Sequence, residues 1–104
     1  MQVLLNGTVI ADAPDADLIL VEGNDYFPSG AIKQQFFTPS RTSSVCPWKG
    51  TAAYYNAIVD GESVQDVAWY YPETYEKANH IKGRVAFYKN KVKFVKQKEE
   101  EANV

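Results

Sequence analysis

The chain has 104 residues, of which 45% are hydrophobic and 23% are charged, and its formal net charge is −2 at pH 7. This composition predicts one soluble globular domain with a single core, and the small net charge of mixed sign predicts neither a nucleic-acid nor a membrane partner. We expect no leader peptide and no membrane span. With one Cys and one His, we also expect no disulfide and no metal site. These expectations together predict a cytoplasmic protein.

The first half of the chain predicts a hairpin, a third strand and a short helix. Residues 3–10 contain two β-prone runs joined by Asn6-Gly7, a dipeptide that tolerates the positive φ angles of a type I′ turn. Residues 18–22 are predicted to form the third strand. Residues 29–36 are predicted to form a short helix with Ser29 as its N-cap.

Turn signals divide the second half of the chain into short strands. Asp60-Gly61 connects two β-prone runs, and Pro72 ends the second because proline cannot donate a hydrogen bond to a sheet. Residues 74–78 can form one helical turn, and residues 97–104 are expected to be a polar, frayed tail. The predicted strands are residues 41–46, 52–59, 64–71, 84–88 and 92–96.

This pattern of elements predicts a mostly β fold for a single domain over residues 1–96. Two architectures fit the pattern, each with one or two short helices: a small antiparallel barrel and a two-sheet, tent-like domain. Closure into a barrel would remove the exposed strand edges, but hydrophobic periodicity does not distinguish the two arrangements.

Residues 42–55 (TSSVCPWKGTAAYY) gather the only Cys, a Trp and a Lys around a turn bracketed by Pro and Gly. Lys49 lies three residues after Cys46, so its ammonium would favour the reactive thiolate if the two side chains converged. The alternative is that Cys46 is a small buried hydrophobe, which is a common role of a free Cys. Lys49-Gly50 can present an ammonium and an amide N–H to one anion, although a solvated turn lysine is equally consistent.

Aromatic side chains form the second candidate feature. Alternation along residues 52–59 and 64–71, two predicted neighbours in a sheet, produces one shared face that is rich in Tyr and Trp. Such rings line ligand cavities well because each supplies apolar area and a polar group, but they also fill small cores. Trp69 lies next to a strand end, which favours the cavity role for this ring.

The charged residues outside this segment give weaker indications. Glu22 ends an apolar run and can act as an acid, a base or a hydrogen-bond acceptor, or it is a surface charge at a strand end. His80 lies in a polar loop and is expected to be exposed. Lysines over residues 89–98 alternate with apolar residues and predict a solvated face, whereas a nucleic-acid groove would contain more Arg and exposed aromatics.

Several blocks follow one another along the chain in an order that carries a family likeness. They are residues 6–12 (NGTVIAD), Glu22, and residues 26–28 (YFP), 46–50 (CPWKG), 54–55 (YY), 68–72 (AWYYP) and 78–88 (ANHIKGRVAFY). In these blocks the chain resembles domain-of-unknown-function family 427. The resemblance implies a small, bacterial-type, mostly β domain that usually stands alone and has no settled activity.

Members of that family are sometimes labelled nucleotidyltransferases. Metal-dependent nucleotidyl transfer uses two closely spaced carboxylates on a strand to hold magnesium at the triphosphate. The nearest equivalents here, Asp12 with Asp15 and Asp17, fall in a loop that contains Pro. The sequence therefore does not support that reaction.

The residues and the resemblance together define one candidate ligand-binding site, in which the cysteine–lysine corner and the tryptophan-bearing strand are expected to open onto a common cavity. The favoured function is small-molecule binding, with an anionic ligand as one candidate. The alternatives are a small enzyme that uses Cys46 or Glu22 with Lys49, and a homodimeric interaction module; no cofactor can be assigned. The candidate site residues are Glu22, Cys46, Trp48, Lys49, Tyr54, Trp69, Tyr71 and Tyr88.

Overall fold

The computed structural model describes residues 1–96, and the predicted tail at residues 97–104 lies outside the described residues. No helix within residues 1–96 has the length and apolar character needed to cross a membrane. The described strands are β1 (Gln2–Leu5), β2 (Thr8–Asp12), β3 (Ile19–Val21), β4 (Asn24–Tyr26), β5 (Phe37–Cys46), β6 (Gly50–Val59), β7 (Glu62–Tyr70), β8 (Val85–Phe87) and β9 (Lys93–Val95). Short 3₁₀ segments occupy Asp15–Asp17, Ser29–Ala31, Gln34–Phe36 and Glu76–Ile81.

The strands form three antiparallel sheets, with the orders β2-β1-β9, β3-β4 and β5-β6-β7-β8. The predicted mostly β, antiparallel fold is therefore confirmed. Within residues 1–96 the sheets do not close into a barrel, and the strands divide among three sheets where the tent-like alternative has two. The long hairpins β5–β6 and β6–β7 carry most of the residues in the candidate site.

Three hairpin turns share one backbone geometry, in which two successive residues adopt positive φ. The predicted turns at Asn6-Gly7 and Asp60-Gly61 are confirmed, with φ values of 51° and 80° in the first and 52° and 81° in the second. Glu22-Gly23 forms a third turn, between β3 and β4, with φ values of 54° and 79°. The predicted strand over residues 18–22 therefore stops at Val21, and Glu22 stands at the tip of a tight turn.

The prediction of a helix over residues 29–36 is wrong. The segment contains two separate 3₁₀ turns with extended residues between them, and Ser29, the predicted N-cap, lies inside the first turn, whose N-cap is Pro28. The cause is a tertiary contact: the Lys33 amide donates to the Ile10 carbonyl at 2.9 Å, and Ile32 forms a β-bridge with Ala11. Pairing with β2 thus overrides a weak local helix propensity.

The buried side chains form two clusters. The larger cluster joins β1, β2 and the sheet of β6, β7 and β8. The smaller cluster lies where Tyr26 of β4, Ala52 of β6 and Ala86 of β8 meet the 3₁₀ segment Glu76–Ile81. Candidate residues from the β5–β6 corner and from β7 border this smaller cluster, so it is the part of the core that positions the site.

The corner between β5 and β6 requires glycine where β6 begins. Gly50 has a φ of +125°, and a Cβ at this position would lie 2.9 Å from the carbonyl oxygen of Glu73. The chain that follows β7 is held against the corner by the Tyr75 amide, which donates to the Lys49 carbonyl at 3.2 Å. A close contact between two backbones therefore shapes this end of the site.

Gly50→Ala is expected to lower the free energy of unfolding by about 2 kcal/mol or more, because it combines a strained φ with a clash against backbone. Urea denaturation measures the loss. Gly30→Ala is the matched control, since nothing lies within 4 Å of a Cβ built there. Equal stability of the two variants would contradict the close contact between Gly50 and the Glu73 carbonyl.

Candidate functional site

An ion pair joins two turns that are distant in sequence. Glu22 stands at the tip of the β3–β4 turn, and Lys49 lies in the corner between β5 and β6. The Lys49 ammonium donates a short hydrogen bond from Nζ to Oε1 of Glu22. The Lys49 side chain is only 9% exposed, whereas the Glu22 side chain is 52% exposed. The pair therefore buries the ammonium and leaves the carboxylate at the surface.

Two aromatic rings complete the surroundings of the Lys49 ammonium. Its Nζ lies 5.5 Å from the ring centroid of Trp48 and 5.5 Å from that of Tyr71, which is within cation–π range. The Trp48 indole N–H also donates to Oε2 of Glu22 at 3.2 Å. Because the carboxylate accepts hydrogen bonds from two different side chains, it is held in one orientation.

The electrostatics keep both members of the ion pair charged at neutral pH. Hydrogen bonds from Lys49 and Trp48 hold the pKa of the Glu22 carboxyl below its usual 4.5. Burial by itself would lower the pKa of Lys49, but the hydrogen bond to Glu22 and nearby tyrosines outweigh it, so the pKa is raised above 10.5. Burial also raises the pKa of the Tyr71 hydroxyl. At neutral pH Lys49 is thus a cation and Tyr71 is a neutral phenol.

Three half-buried rings, Tyr54, Trp69 and Tyr88, form a neighbouring surface that we name the aromatic face. Tyr54 of β6 and Trp69 of β7 are cross-strand partners. The Tyr88 ring centroid lies 4.6 Å from that of Trp69 and 6.4 Å from that of Tyr54. Burial and a hydrogen bond with Tyr54 raise the pKa of Tyr88 to about 12, so its hydroxyl stays neutral. Tyr71 is near enough to influence both Tyr88 and Lys49.

Tyr26 is a site residue that the sequence reasoning does not single out. It is fully buried, its ring meets Trp69 edge-on, and its hydroxyl accepts a hydrogen bond from the Trp69 indole N–H at 3.2 Å. The signal that could have identified it is the Glu22-Gly23 pair. A type I′ turn there implies a returning strand, which contains Tyr26.

Cys46 is placed beside the site but is not bonded to its charged pair. It is the register partner of Gly50 across the β5–β6 corner, is half-buried, and packs at the border of the smaller core cluster. Among residues 1–96, no hydrogen bond joins Cys46 to Lys49, whose ammonium is directed to Glu22 instead. Lys49 therefore makes its charged hydrogen bond with Glu22 and not with the Cys46 thiol.

The eight candidate residues lie in one region, but the cavity beside them has other walls. A cavity of about 560 Å³ is lined by Gly50, Thr51, Ala52 and Ala53 at the start of β6, by β5 residues and by the chain after β7. The candidate residues instead surround the smaller core cluster and the ion pair. Within residues 1–96, no group of three or more His, Cys, Asp or Glu side chains is placed to hold a metal ion.

The fold and the site define a small antiparallel β domain in which a buried lysine pairs with a surface glutamate next to partly exposed aromatic rings. A family model described as "Domain of unknown function (DUF427)" matches residues 1–98. The chain belongs to this family, and the resemblance seen in the sequence blocks is confirmed. No curated protein matches the chain.

Glu22→Gln is expected to remove a pH-dependent part of the stability. Because the folded-state pKa of Glu22 is lowered from 4.5, its stabilising effect is complete above the unfolded pKa and disappears as pH falls through the folded pKa. The difference in free energy of unfolding between wild type and variant should therefore be largest at pH 7 and should shrink below about pH 4.5.

Urea denaturation at several pH values between 7 and 3 measures this difference. Glu76→Gln, which removes an exposed carboxylate from the 3₁₀ segment Glu76–Ile81, is the control and should show no such trend. The pKa of Asp66 is also lowered, but Asp66 is present in the wild type and in both variants. Its contribution therefore cancels from each difference in the free energy of unfolding. A difference that does not vary with pH would show that Glu22 is no partner of Lys49 in solution.

Proposed function

We propose that this domain binds a small organic molecule on the aromatic face, with the Glu22 carboxylate as the main polar contact. Trp48 and Lys49 orient that carboxylate, Tyr71 packs against the Lys49 ammonium, and Cys46 belongs to the adjoining wall. The single observation that carries the proposal is the partial exposure of Tyr54, Trp69 and Tyr88, in a domain whose surface carboxylate Glu22 is oriented by Lys49 and Trp48.

The exposure of these rings is what distinguishes a binding surface from a core. Tyr26 and Phe27 are fully buried, as core rings are, whereas the three rings of the aromatic face are only half-buried. A ring in this position offers a flat apolar surface to a ligand, and tyrosine adds a hydroxyl at its edge. Small-molecule sites combine such surfaces with a few fixed polar groups.

Glu22 supplies a fixed polar group of this kind. One of its oxygens accepts from Lys49 and the other from Trp48, so the side chain does not need to be ordered when a ligand arrives. Its half-exposed carboxylate still has acceptor capacity for a further donor. This preorganisation favours a planar ligand that carries an N–H or O–H donor.

An anionic ligand requires a different arrangement at the same place. The Lys49 ammonium already faces a carboxylate and two rings, so an anion could reach it only by displacing Glu22. Glu22→Gln separates the two modes. The variant should bind an anionic ligand more tightly and a donor or cationic ligand more weakly than the wild type does.

A thermal-shift screen of planar amines, amides, carboxylates and nucleotides tests the proposal. A ligand at one hundred times its dissociation constant should stabilise the protein by about 2.7 kcal/mol. Tyr88→Leu should weaken the binding of any hit about fivefold or more, because base-sized rings stacked on an aromatic side chain contribute on the order of 1–3 kcal/mol each.

Tyr70→Leu is the matched control for Tyr88→Leu. Tyr70 is also half-buried, but its ring stacks on Tyr55 at 4.8 Å, away from the aromatic face. The control variant should keep the wild-type affinity even if its melting temperature falls. Equal losses in both variants, or a broad screen without any hit, would count against the proposal.

The enzyme alternative depends on the reactivity of Cys46. With the Lys49 ammonium bonded to Glu22 and the thiol half-buried, we expect iodoacetamide to alkylate Cys46 no faster than it alkylates glutathione at the same pH. Mass spectrometry of timed samples measures the rate. Alkylation clearly faster than that of glutathione, and slowed by Lys49→Met, would support the enzyme and not the binding module.

A further inference from the structure

An irregularity in strand β5 forms one wall of the cavity of about 560 Å³. Pro39 pairs with Tyr55 and Ser43 pairs with Ala53, so residues 40–42 of β5 lie opposite a single residue of β6. This surplus of residues bulges the strand away from its partner. The bulge borders the cavity of about 560 Å³, and Arg41 at its centre lines that cavity.

Hydrogen bonds to Asp66 hold the bulge in place. The Ser40 hydroxyl donates to Oδ1 of Asp66 and the Thr42 hydroxyl donates to Oδ2 at 2.7 Å, while the Thr42 amide donates to the Ser40 hydroxyl at 3.1 Å. Asp66 is itself fixed, since its amide donates to the Asn56 side chain at 2.9 Å. The residues on both sides of Arg41 are therefore anchored, which fixes the backbone of Arg41 at the cavity wall.

The charge of Arg41 is not neutralised within the described part of the chain. Among residues 1–96, Arg41 makes no salt bridge. The acidic residue in the cavity wall, Glu73, is directed to Lys82 at 3.2 Å and is 86% exposed. The cavity therefore has a cationic rim, and a guanidinium is the side chain best suited to a carboxylate or phosphate group.

The remaining walls combine hydroxyls with apolar surface. Thr51 and Thr74 contribute hydroxyl-bearing side chains, and Oγ1 of Thr74 is buried without a hydrogen-bond partner in the described structure. Ala53 and the exposed ring of Tyr75 contribute apolar area. A volume of about 560 Å³ falls within the range typical of small-molecule sites.

From these observations we infer that the cavity between β5, the start of β6 and the chain after β7 is a second binding site, for a small organic anion. Its carboxylate or phosphate group pairs with Arg41, and its apolar or aromatic body rests on Ala53 and Tyr75. The site shares no residue with the aromatic face or with the Glu22–Lys49 pair. It is therefore independent of the function proposed above, and either can fail without the other.

Titration of the ¹⁵N-labelled protein with benzoate, phenyl phosphate and benzamide tests the inference by NMR. We expect benzoate or phenyl phosphate to shift the backbone amide signals of Thr51, Ala53 and Tyr75. Whichever of the two binds more tightly identifies the anionic group that the cavity prefers. Benzamide, which has the same ring without the charge, should bind at least tenfold more weakly.

Arg41→Gln should weaken binding of the better anion at least tenfold. Lys33→Gln is the control, because it removes one positive charge from an exposed position outside the cavity and should leave the affinity unchanged. The overlay of the unliganded spectra shows whether each variant keeps the wild-type fold. Thr42→Val, which removes one anchor of the bulge but no charge, should produce a smaller loss.

Three outcomes would overturn the inference. The first is the absence of shifts at those amides with 10 mM of either anion. The second is equal affinity for benzamide and benzoate. The third is equal weakening by Arg41→Gln and Lys33→Gln, which would reveal a general effect of net charge.

Discussion

The structure depends on keeping the Lys49 ammonium out of water without leaving it unpaired. An isolated ammonium would be costly to bury, and here Glu22 and the rings of Trp48 and Tyr71 surround it. Glu22 meets this requirement only because it stands at the tip of a tight turn with a positive φ. The ion pair therefore links the turn of the two-stranded sheet to the corner of the four-stranded sheet, in addition to the hydrogen bond between Tyr26 and Trp69.

This constraint also decides what chemistry the region can perform. Lys49 is hydrogen-bonded to a carboxylate and its pKa is raised, so at neutral pH it is a fixed cation. What remains at the surface is the other side of the carboxylate and the three rings of the aromatic face. The cavity at Arg41 is lined by the first four residues of β6, and its lining includes neither the aromatic face nor the Glu22–Lys49 pair.

Features set by neighbouring residues could be predicted, and features set by distant contacts could not. The turns at Asn6-Gly7 and Asp60-Gly61 followed from the residue types alone, since positive φ is a local preference. Cys46, Trp48 and Trp69 border one core cluster, but none of them lines the cavity of about 560 Å³, so the common cavity expected for the corner and the Trp69 strand stays a prediction. The helix over residues 29–36 failed because pairing with β2 extends that segment. The β5 bulge, which is anchored through Asp66, leaves no local pattern in the sequence.

The mostly β class and most of the strands followed from the sequence, because alternation and turn chemistry act over a few residues, whereas the candidate site stays a prediction. The tertiary structure alone decided that Lys49 is neutralised by Glu22, that Tyr26 supports Trp69, and that the cavity opens beside Arg41. These outcomes depend on side chains that meet across sheets, more than twenty residues apart in the case of Glu22 and Lys49. No short stretch of sequence carries the geometry that brings them together.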